Sequence, residues 1–136
     1  MAALAKDRNT SARDGKTFDF GVAAGVKIYA GALVALSATG YATPGAVATT
    51  LVAAGRAEQQ VDNTGGADGD VTVKITKGVF RFDNSAAADE ITIAEIGDDC
   101  YIVDDQTVAK TSGTSTRSIA GKIVDVDALG VWVEIA

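Results

Sequence analysis

At 136 residues and 47% hydrophobic content, the chain is long enough for one domain with its own core, and its single cysteine, Cys100, excludes an intramolecular disulfide. It contains no histidine, which removes the usual general base, the Ser-His and Cys-His nucleophile pairs and any typical zinc site. The formal charge of −6 is uneven: residues 1–20 hold four basic and three acidic groups, and the remainder 8 basic against 15 acidic, an acidic body that repels phosphate backbones and argues against a nucleic-acid partner.

Fifteen glycines, one proline and an abundance of Val, Thr and Ala favour many short strands joined by tight turns, hence an all-β fold. Residues 1–8 lack the apolar run of a signal peptide. The longest apolar stretch, residues 28–38, falls well short of the roughly 20 residues of a membrane span. The expectation is a soluble, cytoplasmically made protein with no membrane partner.

In chain order, residues 1–20 read as an N-terminal arm without apolar period, extended or disordered when alone, and residues 21–136 as a single β domain. Phe18 and Phe20 alternate about Asp19 like a short strand with one sticky face; they either enter the domain's core or meet a partner. Val26, Ile28, Ala30, Ala32, Val34 and Leu36 predict one long strand, followed by a turn at residues 37–40 and a short return strand at 41–43. Residues 46–54, rich in β-branched side chains, predict another strand. A Gly- and Asp-rich loop, 62–70, precedes a strand pair whose apolar phase shifts from Val71, Val73 and Ile75 to Phe80 and Phe82 across Lys77-Gly78, as at a bulge or tight turn. Residues 86–96 read as a turn and a short strand, against a helical alternative in Ala86-Ala87-Ala88. Two hairpins close the chain: one turns at Asp104-Asp105-Gln106, the other at residues 127–130, with Val131, Val133 and Ile135 on the buried face of the last strand. About ten strands at this spacing predict a small β-barrel or sandwich, β-tulip or jelly-roll-like.

Catalytic chemistry is not expected. Gly15-Lys16-Thr17 imitates a phosphate-binding loop but has Thr10 where the pattern needs glycine, and Asn9-Thr10-Ser11 lacks the secretory context of a glycosylation site. The carboxylates Asp98-Asp99, Asp104-Asp105, Asp125 and Asp127 read as turn and surface residues. The 62–70 loop has the composition of a calcium loop, yet Val73 stands where a closing glutamate belongs. No cofactor and no metal is expected, with calcium there as the leading exception, and a buried inert thiol is expected at Cys100.

Several stretches in order, Gly55-Arg56-Ala57-Glu58, Val61-Asp62-Asn63, the 69–82 segment ending Gly78-Val79-Phe80-Arg81-Phe82, the 96–104 segment with Cys100-Tyr101-Ile102-Val103, Ile119-Ala120-Gly121-Lys122 and the terminal Val131-Trp132-Val133-Glu134-Ile135, resemble the capsid decoration, or cement, proteins of tailed bacteriophages. The resemblance covers about 80 residues and implies a structural, non-enzymatic protein on the outer surface of an expanded head, clamping neighbouring major capsid subunits as a homo-oligomer, a trimer rather than a dimer. On that expectation Lys6, Arg8, Arg13, Phe18 and Phe20 form the capsid-binding arm, and Tyr101 and Trp132 are either subunit contacts or ordinary core residues. The alternative is a carbohydrate- or calcium-binding β-domain of a phage tail or surface protein.

Overall fold

The computed structural model describes residues 2–136. Among them the chain forms β1 (Thr17–Gly21), β2 (Lys27–Ile28), β3 (Leu33–Leu36), β4 (Ala42–Pro44), β5 (Val52–Ala57), β6 (Val61–Asp62), β7 (Thr72–Thr76), β8 (Gly78–Phe82), two single-turn 3-10 helices (Ala87–Asp89 and Ile93–Glu95), β9 (Asp99–Ile102), β10 (Val108–Ala109), β11 (Ile119–Asp127) and β12 (Gly130–Ile135). The strands pair as two five-stranded sheets, β1-β7-β5-β3-β4 and β10-β9-β11-β12-β8, with β2 and β6 as a separate two-stranded ribbon. The fold is all-β and sandwich-like. Neither large sheet closes into a barrel; in each, the two edge strands are linked only by one parallel bridge, Val22 to Ala42 in the first and Asp83 to Thr107 in the second.

Two apolar clusters form the core. Val22, Ile28, Val34, Ala54, Val73 and Ile75 form one, built mainly on the first sheet, and Phe82, Ile91, Cys100, Ile102, Ile123, Val131, Val133 and Ile135 the other, built mainly on the second. β3 is the wall between them. Alternate side chains of a strand face opposite ways, so Val34 enters the first cluster while Leu33 and Ala35 enter the second, all fully buried.

The long strand expected over residues 26–36 is therefore two short ones. Gly31 takes φ +86 in the exposed turn between them, where Ala32 N–H donates to the Tyr29 carbonyl at 3.2 Å. The alternation misled because Leu33 and Ala35, on the supposedly outer face, are covered by the second sheet. The strand expected over 46–54 begins only at Val52, since Ser118 holds the preceding segment off the sheet: its hydroxyl donates to Ala48 O at 2.6 Å and accepts from Leu51 N–H at 3.1 Å. β7 and β8 are strands but do not pair with each other. The phase change at Lys77-Gly78 marks the chain leaving one sheet for the other.

Residues 86–96 contain neither an α-helix nor a strand. Asn84 fixes this segment by donating to Ile91 O at 2.8 Å and accepting from Ile91 N–H at 2.9 Å, which delivers the Ile91 side chain to the second cluster. Thr92 and Glu95 then form a reciprocal capping box around the second 3-10 turn. Both C-terminal hairpins form at the predicted turns, β9 with β10 and β11 with β12. At Gly121 of β11 a Cβ would stand 2.2 Å from the Glu134 carbonyl oxygen, so only glycine lets β11 and β12 approach this closely.

Residues 2–17 are exposed and residues 2–16 belong to no strand or helix. The boundary placed at residue 20 falls inside β1, whose five residues pair with β7. Phe18 and Phe20 are thus in the domain's own sheet, half-buried against the first cluster.

Candidate interaction surfaces

The arm joins the domain at a cationic-aromatic corner. Phe18 and Phe20 stack with ring centroids 6.0 Å apart, the Arg13 guanidinium lies 4.7 Å from the Phe18 ring centre, and Lys77 Nζ approaches it at 5.9 Å. The Lys16 carbonyl accepts the Lys77 N–H at 2.8 Å, the last tie between arm and sheet. Beyond it Lys6 and Arg8 are exposed. Of the five arm residues named from sequence, the structure brings Arg13, Phe18 and Phe20 together and leaves Lys6 and Arg8 apart.

Tyr101 and Trp132 lie on the outer face of the second sheet, each half-buried, opposite the core-facing Cys100, Ile102, Val131 and Val133. Tyr101 lines a groove of about 920 Å³ with Leu51, Val52, Arg117 and Ile119, in which Val52 is 64% and Ile119 48% exposed. Trp132 donates its indole N–H to Asp127 Oδ2 at 2.9 Å and carries the Arg81 guanidinium at 5.4 Å from its ring. Neither aromatic is a plain core residue, because the pleat turns both outward.

A second groove, about 290 Å³, runs beside β8 and is lined by Gly31, Arg56, Phe80, Arg81 and Trp132. Arg56 stacks 4.5 Å over Phe80 and pairs with Glu58 at 2.8 Å. Sequence reading missed this cluster, because Arg56 and Arg81 lie in different sheets and only the fold brings them to one groove.

The acidic groups work locally. Asp127 Oδ1 accepts Leu129 N–H and Gly130 N–H in the hairpin turn; the indole N–H and these backbone donors hold its carboxyl below the ordinary value. Asp104 caps its own turn through Gln106 N–H at 2.9 Å, and Asp99 pairs with Lys122 at 2.8 Å, which raises the lysine's pKa. Asp89 is held low by the Thr111 hydroxyl first, then by Arg117 at 3.2 Å.

In the 62–70 loop the carboxylates are bonded to the chain itself. Asp62 accepts Thr64 N–H and hydroxyl, which lowers its pKa, Asp68 accepts Ala24 N–H at 2.7 Å and Asp70 accepts Ala67 N–H at 2.9 Å. The loop is organised by Asn63, 3% exposed, whose amide reaches the carbonyls of Val22, Ala23 and Ala67 at 2.9–3.2 Å. No group of three or more His, Cys, Asp or Glu side chains with metal-binding placement occurs among the described residues. Cys100 is buried, and desolvation pushes its thiol up to about 12, leaving no thiolate for nucleophilic chemistry.

No protein-family model matches the chain, and no curated protein or solved structure matches it.

Proposed function

We propose that this protein is a capsid decoration protein that binds the outer surface of an expanded phage head and clamps neighbouring major capsid subunits, acting as a homo-oligomer, a trimer on this reading. The observation that carries the reading is the arm. Fifteen described residues, 2–16, run exposed from the end of an edge strand, with Lys6, Arg8, Arg13 and Lys16 against Asp7 and Asp14, while the body they leave is acidic. A segment of that length spans up to about 50 Å when extended, enough to reach across a neighbouring subunit. It can order on a second surface by main-chain hydrogen bonding, with Lys6 and Arg8 selecting acidic partners. Many copies turn modest contacts into tight attachment through effective concentration. Phe18, Phe20 and Arg13 serve as the root that fixes the direction in which the arm departs.

The test is co-sedimentation of the purified protein with expanded heads lacking it, beside a version that begins at Lys16 and so keeps β1 and the Lys16–Lys77 bond. Saturable binding by the full chain, lost by roughly tenfold or more in the truncated one with an unchanged unfolding midpoint, is expected. Equal binding by both versions, or a full-length protein that stays in the supernatant, overturns the reading.

A further inference from the structure

Each large sheet has one short edge and one long edge. The short edges, β4 and β10, are occupied at their ends by the bridges to Val22 and Asp83. The long edges are β1 and β8, five residues each. Long, flat, uncovered edges are templates for another strand, and natural proteins normally blunt them.

Hydrogen-bond alternation says which backbone groups these edges leave open. On β1, Val22 N–H donates to Val71 O at 2.9 Å and the Lys16 carbonyl accepts from Lys77, so the even-numbered residues face β7; Thr17 and Asp19 face outward. On β8, Asp83 N–H donates to Gln106 O at 2.7 Å and Asp83 O accepts from Val108 N–H at 3.0 Å, both away from β12. Phe82 and Phe80 therefore face β12, and Val79 and Arg81 face outward.

The two open edges differ in charge. The outward residue at the middle of β1 is Asp19, 57% exposed at its side chain and 3.5 Å from Lys74. On β8 it is Arg81, whose guanidinium has no ion pair or hydrogen bond among the described residues; it lies over the Trp132 ring, with the Asp127 carboxylate near enough to feel its charge. Two β1 edges brought together two-fold would set Asp19 against Asp19, and two β8 edges Arg81 against Arg81, which is unfavourable in each case. A β1 edge laid on a β8 edge sets Asp19 beside Arg81. It also places Phe18 and Phe20 beside Phe80 and Phe82 on the core-side face, since in both strands the phenylalanines point inward and the charges outward.

We propose that copies of this chain associate head to tail, the β1 edge of one adding to the β8 edge of the next, with Asp19 and Arg81 as the pair that selects this contact. The contact is heterologous, so each copy gives one edge and receives one, and a ring closes when the rotation between copies allows it. This inference rests on strand geometry and charge and is independent of shell binding.

The experiment is sedimentation of the full chain in solution, without heads, for the wild type, Asp19→Arg, Arg81→Asp and the double swap, with circular dichroism to verify that each is folded. The wild type is expected at a multiple of 13.8 kDa at high micromolar concentration. Each single reversal weakens association by roughly tenfold or more, and the double swap restores it. Hydrogen exchange gives a second readout: the amides of Asp19, Val79 and Arg81 become protected as concentration rises. A monomeric wild type, single reversals that associate normally, or a double swap that fails to recover overturns the proposal.

Discussion

Asn63 organises the loop of residues 62–70. Its buried amide nitrogen lies within hydrogen-bond reach of three carbonyls from two segments, Val22-Ala23 and Ala67, sharing its two hydrogens among them, and so holds the loop to the end of β1. Asn63→Ala removes the side-chain donor that ties the loop to the end of β1, while each carbonyl keeps a backbone donor (Gly69, Val26 and Asp70 N–H), and a loss of about 1–2 kcal/mol in urea unfolding is expected. A loss below about 0.5 kcal/mol would show that water replaces the amide readily. That residues 62–70 form a loop was legible from Gly and Asp; that Asn63 and not Asp62 lies at its centre was not, because the choice depends on carbonyls forty residues upstream. The outward turn of Trp132 was legible from strand alternation, whereas its bond to Asp127 required the hairpin to close.

At the level of elements, β3 is the strand the rest depends on, since it is apolar toward both clusters. Leu33→Ala removes a fully buried side chain from the wall between the two clusters, and a cost of about 2–5 kcal/mol is expected. Val52→Ala, on the rim of the larger groove, is expected to change stability by less than about 0.5 kcal/mol. Chemical denaturation of both variants checks the pair; equal effects would contradict the assignment of β3 as the shared wall. The same two-sidedness explains what sequence reading captured and lost. Hairpins between neighbours in the chain, β9-β10 and β11-β12, show in turn chemistry and alternation. Partners far apart do not, so one-face logic fused β2 with β3, and β7 was read as the partner of β8.

Across the whole molecule, acid stability follows from the carboxylates that the fold holds below their ordinary values. Glu58 is lowered chiefly by Arg56, Asp62 by Thr64, Asp89 by Thr111 and Asp127 by the Trp132 indole. Their folded values lie beneath the unfolded ones, so their contribution is complete above the ordinary 3.8 to 4.5 and is lost as pH falls through the lowered values. Lys122, raised by Asp99, behaves oppositely: its contribution is present below 10.5 and is lost as pH rises through its raised value. The unfolding midpoint followed by circular dichroism is therefore expected to be level at neutral pH and to fall once pH drops below about 4. A midpoint unchanged there would mean that these local bonds persist in the unfolded chain. The all-β class was legible in composition, but the split into two sheets was visible only as a phase change at one glycine. That split falls between Lys77 and Gly78, so the first sheet lies wholly before it in the chain and the second wholly after it. A ribosome therefore delivers Leu33 and Ala35 well before the second-sheet residues that cover them. At about 5–20 residues per second the remaining 59 residues take roughly 3–12 s to emerge, and for that interval the nascent first sheet presents an apolar outer wall to the cell.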